Sequence, residues 1–284
     1  MTKSSPCEAR QGGRLPLELV DNIIRFATGH ISSLRSCALT CHHWNVIVRT
    51  HMFRRVDITG KKRLLALEKV LETAPHLGNY IRELSIGPFA SQGRGENSRW
   101  VQRVPENLTQ LLPEVRTIRF IRLSDAGEFC DAEFFAMFYY FTSATKLILQ
   151  DCAMNISVLQ AFASSLPNLT DLVIVDLLPL WVTVWEAPPL LASPLLTTLV
   201  FDVAKTASPT LSNFMEWLLS TDRLEELRSA EFGFTILDAK VVKRSLVNIG
   251  PNLEHLGLHI KPLFDSSEWE QERKLWIIRP THPW

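Results

Sequence analysis

At 284 residues, the chain is long enough for one large domain or for two unequal ones. Its 30 basic and 30 acidic side chains balance, which argues against a bulk electrostatic attraction to nucleic acid or to an anionic membrane surface. A content of 46% hydrophobic and 21% charged residues is that of an ordinary soluble globular protein.

The signals for location favour a reducing compartment. Residues 1–14 are polar, lack the apolar centre of a signal peptide, and are predicted to be a disordered N-terminal segment. Five cysteines, an odd number without framework spacing, suit the cytosol or the nucleus. The most apolar run, residues 172–196, is interrupted by prolines and acids and is too broken to span a membrane. We therefore expect a cytoplasmic or nuclear protein that binds neither membrane nor nucleic acid.

Residues 15–58 are predicted to form a small helical domain. Pro16 and Glu18 suit the first turn of a helix, because proline has no amide hydrogen to leave unpaired there and the carboxylate meets the positive end of the helix dipole. Apolar residues follow at helical spacing in this helix, and a second helical stripe runs from Leu34 to Val48. A segment this short cannot bury enough surface alone, so one face should pack on the chain and the other on a partner.

The same segment resembles an F-box. The ordered elements that carry the resemblance are Leu15-Pro16-x-Glu18-Leu19, Ile23-Ile24, Leu34, Cys41-His42-His43-Trp44 and the closing aromatic Phe53. The resemblance implies docking on a Skp-type adaptor protein and, through it, membership of a cullin ubiquitin ligase complex. The adaptor-binding residues that it implies are Leu15, Pro16, Glu18, Leu19, Ile23, Ile24, Leu34, Cys41 and Trp44.

Residues 59–284 contain a weak internal repeat of apolar triplets with the form L-x-x-L-x-L. The clear copies are Ile81-Leu84-Ile86, Val115-Ile118-Phe120, Ala144-Leu147-Leu149, Leu169-Leu172-Ile174, Leu196-Leu199-Phe201 and Leu253-Leu256-Leu258. One further copy either begins at Leu224-Leu227 or, with a slipped register, uses Ala230 and Phe232. Residues 56–58 fit a partial first copy.

Triplets at this period are typical of a leucine-rich repeat, in which each copy is a short strand that needs its neighbours for cover. Helix-like stretches lie between the triplets at 61–73, 131–141, 157–166, 208–219 and 238–249. We therefore predict an α/β fold in which residues 59–284 form a curved solenoid, with a parallel sheet on the concave side, helices on the convex side and a C-terminal cap. Residues 88–105 are predicted to be a protruding loop, and residues 176–194 an irregular connection.

The residues that alternate with the triplets should face outward on the concave sheet. Those at its centre are apolar and are the predicted substrate-binding residues: Ile121, Ile148, Val173, Val175 and Val200. A contiguous exposed apolar patch is an interaction surface or a liability. Two alternatives stay open. Either the tail, residues 269–284, folds back over the patch with its tryptophans, or the strand register differs.

No catalytic signature stands out, since the chain has no Gly-rich phosphate loop, His-Glu-x-x-His or Gly-x-Ser-x-Gly. Cys37 and Cys41 lie one helical turn apart and could share a zinc ion, but their apolar stripe favours packing. His255 and His259 lie four residues apart in a predicted strand and so face the same side; without an acidic or thiol partner in view there, they are predicted to be solvated. We expect no catalytic residue, no metal and no cofactor.

The combined prediction is a non-enzymatic substrate-recognition subunit of a Skp–cullin–F-box ubiquitin ligase, whose solenoid binds a protein substrate. The alternative is a ligase-independent interaction scaffold in which the N-terminal helices only cap the solenoid, because terminal repeats need a cap. A small-molecule binder that uses the irregular region 176–194 is a third and more distant class.

Overall fold

The computed structural model describes residues 15–28, 30–87, 99–123, 132–154, 156–179, 195–202, 209–220, 224–235, 239–261 and 276–278. The chain forms two compact units, Met1–Arg54 and Arg55–Trp284. The described part of the first unit is helical, and the second unit combines an open, largely parallel sheet with helices. The predicted mixed α/β class with a parallel sheet is confirmed. The helical unit ends at Arg54 rather than at residue 58, because the next four residues form a strand of the sheet.

The helical unit consists of α1 (Leu17–Ala27), α2 (Ile31–Ala38) and α3 (His42–Met52). The carbonyl of Pro16 accepts the amides of Leu19 and Val20, which starts α1. All three helices contribute to a core of their own, made by Val20, Ile24, Leu34 and Val48.

The second helical stripe is divided between α2 and α3, which corrects the prediction of one helix from Leu34 to Val48. The amide and the hydroxyl of Thr40 both donate to the carbonyl of Cys37 and so close α2. Cys41 is then extended, with φ −162°, and precedes α3. The threonine hydroxyl competes for a helix carbonyl, which is a local effect that apolar periodicity does not reveal.

The main sheet has nine described strands in the order β1-β2-β3-β4-β6-β8-β9-β10-β11. They are β1 (Arg55–Ile58), β2 (Glu83–Ile86), β3 (Thr117–Ile121), β4 (Lys146–Gln150), β6 (Asp171–Val175), β8 (Thr198–Asp202), β9 (Ser229–Thr235), β10 (His255–Lys261) and β11 (Trp276–Ile278). The first eight are parallel, and β11 pairs antiparallel with β10. Two short strands, β5 (Ala153–Met154) and β7 (Leu178–Pro179), form a separate parallel pair.

The register of β9 resolves the doubtful copy of the triplet. Leu199 on β8 pairs with Ala230, and Ala230 pairs with Leu256 on β10. Leu227 is buried ahead of the strand, so this copy reads Leu227-x-x-Ala230-x-Phe232. The slipped register is therefore the correct one.

Helices separate successive strands and pack on one face of the sheet. Their bounds are α4 (Lys61–Thr73), α5 (Arg103–Leu108), α6 (Ala132–Phe138), α7 (Ile156–Ser165), α8 (Pro209–Ser220) and α9 (Ala239–Ile249), with short 3-10 helices at Pro75–Tyr80, Arg99–Gln102, Leu224–Glu226 and Gly250–Asn252. Aromatic side chains join the two layers: the ring of Phe120 on β3 lies 4.8 Å from that of Phe162, and Phe201 on β8 stacks on Phe214 at 4.6 Å.

The prediction of a protruding loop at 88–105 is wrong for its last residues. From Arg99 the chain is helical, and Val101 and Val104 are fully buried. The glycines and charges of the region predicted a loop, yet these two valines lie three residues apart and supply an apolar contact to the core. Residues 88–98, like the Pro- and Trp-rich stretch 180–194, lie outside the described residues.

A ladder of shared carbonyls joins the strands at the edge where they begin. The carbonyl oxygen of the residue before each strand accepts two amides from the next unit, at 2.8–3.0 Å. The six acceptors, from β2 to β9, are Arg82, Arg116, Thr145, Thr170, Thr197 and Arg228. Because the backbone makes these bonds, the register is held whatever side chain stands at the acceptor position.

A left-handed turn follows three central strands at their other end. Arg122, Asp151 and Asp176 have φ of 54°, 53° and 54°, and each donates its amide to the last residue of the next strand at 2.8–2.9 Å. The residue after each turn is buried. Aspartate tolerates this conformation better than most residues, whereas arginine has no local hydrogen bond to offset it.

Replacing Arg122 with glycine should stabilise the protein by about 0.5–1 kcal/mol, since the strain of a left-handed residue exceeds the entropy that glycine loses on folding. Arg122 is exposed, so little side-chain contact is lost. The matched control is Arg116→Gly, at an exposed position without positive φ, which should destabilise by a similar amount. Urea unfolding of both variants and the wild type measures the change in the free energy of unfolding. Equal destabilisation by the two glycine substitutions would show that the backbone at Arg122 is not strained.

Candidate functional site

Helix α1 has two apolar faces. Val20 and Ile24 point into the core of the helical unit and are at most 1% exposed. Leu19, Ile23 and Phe26 lie on another face and are 49%, 44% and 91% exposed. Leu15 lies two residues before the helix begins and is also exposed. We call Leu19, Ile23 and Phe26, together with Leu15 ahead of the helix, the outer row of α1.

The predicted adaptor-binding residues fall into three groups. Leu15, Pro16, Glu18, Leu19, Ile23 and Cys41 are exposed, Trp44 is half-buried against the core, and Ile24 and Leu34 are buried within it. The two buried residues belong to the core of the helical unit, against which α1 packs. Phe26 completes the row and was missed, because the motif does not include it; its spacing of three residues from Ile23 was the available signal.

A hydrogen bond of 2.8 Å from His51 on α3 to the Asp21 carboxylate ties α3 to α1. This hydrogen bond lowers the pKa of Asp21; burial partly opposes it, and the charges of His51, Arg25 and Arg54 lower the pKa further. Arg25 pairs with Asp21 at 3.3 Å. The ionised form of Asp21 thus stabilises the helical unit that carries the outer row.

The second candidate surface is the face of the sheet opposite the helices, which we call the outward face. Ile148, Val173 and Val200 are paired in register on β4, β6 and β8, side by side in one row. Val175 and Ile121 lie in the adjacent row, with Gln150 between them. Ile148 is 8% exposed and the other four are half-buried. The strand register thus brings all five predicted residues to one face.

The tail is described over three residues, Trp276–Ile278, which form β11 at the edge of the sheet beside β10. In the strand order, β11 stands three places from β8 and its Val200. Where it is described, the tail therefore extends the sheet and does not cross the apolar row. Residues 269–275 and 279–284, which include Trp269 and Trp284, lie outside the described residues.

Charged residues flank the apolar row on both sides. In the register of the sheet, Arg119 on β3 precedes Ile148, and Glu231 on β9 follows Val200. Glu231 lies 2.7 Å from His259 on β10. The prediction that His259 lacks an acidic partner is therefore wrong, because that partner comes from the neighbouring strand. The glycine opposite Glu231, Gly257, leaves the room in which the Glu231 side chain lies, since a Cβ there would stand 3.1 Å from Glu231 Cγ.

The described cysteines are packing residues or surface residues. Cys37 packs against the core of the helical unit, and Cys41 is exposed. Cys152 is buried, its thiol donates to the carbonyl of Gln150 at 3.3 Å, and burial raises its pKa to about 12. Among the residues that the structure describes, no three His, Cys, Asp or Glu side chains converge as metal ligands.

Comparison of the chain with models of known protein families and with curated proteins gives no match. In the described part of the chain, none of the helices combines the length and the apolar character that crossing a membrane requires.

Asp21→Asn should destabilise the protein at neutral pH, and the gap to the wild type should close in acid. The pKa of Asp21 is lower in the folded state than in the unfolded state, so its stabilisation is full above the unfolded value of about 3.9 and is lost as pH falls through the depressed folded value. Urea unfolding of the full chain at about pH 7 and about pH 3 measures this. Glu18→Gln, an exposed acid on the same helix, is the control and should show a smaller pH-dependent gap. A gap for Asp21→Asn that does not change with pH would contradict the pairing.

Val173→Asp should leave the protein folded, with a loss of roughly 1 kcal/mol, because the side chain lies on the outward face. Leu172→Asp, one residue earlier, places a charge at a position with 0% exposure and should prevent folding. Circular dichroism and thermal unfolding of the two variants provide the comparison. If both unfold alike, the patch is covered within the chain.

Proposed function

We propose that the protein is a substrate-recognition subunit of a Skp–cullin–F-box ubiquitin ligase. In this proposal, the helical unit is an F-box that docks a Skp-type adaptor, and the strand–helix unit is a leucine-rich-repeat solenoid that holds a protein substrate. The protein does no bond chemistry itself. It raises the effective concentration of substrate lysines beside the ubiquitin-charged enzyme, so its contribution is proximity.

The outer row of α1 carries this proposal. A small helical unit that has filled its own core still exposes Leu19, Ile23 and Phe26 along one face of α1, and Leu15 just ahead of the helix. Exposed apolar rows of this kind cost solubility unless a partner covers them. An amphipathic helix of a partner, or a groove lined by apolar residues, would match four side chains at spacings of four, four and three.

The outward face of the sheet supports the second half of the proposal. Five apolar residues converge on it although helices already cover the opposite face. A sheet that packs on one face needs no apolar residues on the other, where alternation with polar residues is the rule. A protein ligand would account for them.

The alternative is a ligase-independent scaffold in which the helices cap the first repeat. One observation favours it: β1 stands at the end of the strand order and follows directly after α3. An edge strand of a repeat array needs cover. In that case the outer row of α1 would not bind an adaptor.

Co-expression with a Skp-type adaptor tests the proposal. We expect co-purification with the wild type and its loss with Leu19→Glu/Ile23→Glu, because two charges replace apolar side chains at the interface. Burial of each side chain stabilises by about 1.5 kcal/mol or more, so the pair should cost at least about 100-fold in affinity. Leu15→Ala/Pro16→Ala is a milder second variant.

The control variant is Val70→Glu, which exchanges a valine of similar exposure, 46%, on α4 of the second unit. It should bind the adaptor as the wild type does. A folded wild-type chain that does not co-purify with the adaptor would overturn the ligase function and leave the scaffold.

A further inference from the structure

One row of the outward face carries a charge gradient across the sheet. Six residues follow one another in register from β2 to β9: Ser85, Arg119, Ile148, Val173, Val200 and Glu231. The full row begins at Asp57 on β1 and continues past Glu231 to Gly257 on β10. Within it, the stretch from β3 to β9 has the basic Arg119 at one end, an apolar centre over β4, β6 and β8, and the acidic Glu231 at the other end. A partner that covers the apolar centre meets both charged ends at once.

The basic end has donors without acceptors. Ser85 is 1% exposed and its hydroxyl has no hydrogen-bond partner, and Nε of Arg119, on the adjacent strand, is buried without one. Asp57, which is in register with Ser85, lies 2.9 Å from Arg55, and Glu83 lies 3.6 Å from Arg55. Buried donors left without acceptors cost free energy. A carboxylate from a ligand would pair with the guanidinium of the half-buried Arg119.

The acidic end has the opposite chemistry. The Glu231 carboxylate is 43% exposed in its side chain and shares one oxygen with His259. The Glu231 carboxylate favours a cationic group, and the adjacent Val200 offers an apolar surface for the stem of a lysine or arginine side chain.

We propose that the outward face binds an extended peptide segment of a substrate protein, with an Asp or Glu at the β3 end and a Lys or Arg at the β9 end. This inference rests on the proposed function, since the segment would be the part of the substrate that the ligase recognises. The strand order places four intervals between β3 and β9, or about 19 Å at about 4.8 Å each. An extended chain covers this distance in about six residues, with alternate apolar side chains on the sheet between the two charges.

The probe is a fluorescein-labelled nonapeptide, Gly-Asp-Thr-Leu-Thr-Leu-Thr-Lys-Gly, in which Asp, both Leu and Lys share one face. Fluorescence polarisation with the full chain should give saturable binding below about 1 mM. Arg119→Glu should weaken binding about tenfold to a hundredfold, because a charge-assisted pair is replaced by repulsion. A second peptide with Lys in place of Asp should bind the Arg119→Glu variant with most of the affinity that the first peptide has for the wild type. The same second peptide should bind the wild type weakly.

Lys62→Glu is the matched control, because it makes the same reversal at an exposed position on α4, and it should bind as the wild type does. A lack of saturable binding, equal affinity for a peptide with Ser in place of both Leu, or no rescue by the exchanged peptide would overturn the inference. A dimer in sedimentation that Val173→Asp converts to monomer, without peptide binding, would assign the face to a second copy of the chain instead.

The adaptor experiment is read separately. If the chain binds the peptide but not the adaptor, the peptide-binding surface stands and the proposed ligase function falls. If the chain binds the adaptor but not the peptide, the ligase function stands and the proposed substrate class falls.

Discussion

The sheet depends on the ladder of carbonyls that each accept two amides from the next unit. This ladder joins β2 to β10 through six acceptors, and it sets the strand register independently of the side chains on the outward face. A slip of one residue would turn every inward residue outward, so the ladder also decides which residues form the core. Both the apolar row and the charged ends exist as surfaces only because this register is the same in each repeat.

The helical unit obeys a different constraint. It must fill a core with three short helices, and it does so with four buried residues, one or two from each helix. Val20 and Ile24 of α1 are buried in this core, and the helix still exposes the apolar outer row. The Asp21–His51 hydrogen bond holds α3 against the polar side of α1. The position of α1, which carries the outer row, is thus fixed by packing on one side of the helix and by the ionised Asp21 carboxylate on another.

The fold could be predicted from the sequence where the interactions that determine it are local or follow a period. The triplets predict the strands because alternate residues must point into one core, and the stretch 61–73 coincides with α4. Prediction was poorer where a single group decides the outcome. The break at Thr40 and Cys41 depends on one hydroxyl, and the copy at Leu227 keeps its register with an alanine in place of a leucine. The outward pairing of Glu231 with His259 joins residues on different strands, and only the assembled sheet brings them together.

The edges of the sheet have a consequence for the behaviour of the protein in a crowded solution. A parallel array invites further strands at both ends, since each terminal strand offers unused amides and carbonyls to any neighbouring chain. Here one edge is a strand of four residues that carries Arg55 and Asp57, and at the other edge three of the seven residues of β10, residues 256–258, pair with the antiparallel β11. Ile260, which is 68% exposed, lies on β10 just beyond the residues paired with β11. A protease that removed β11 would thus leave all seven residues of β10 unpaired on that side and convert a protected edge into a template for aggregation.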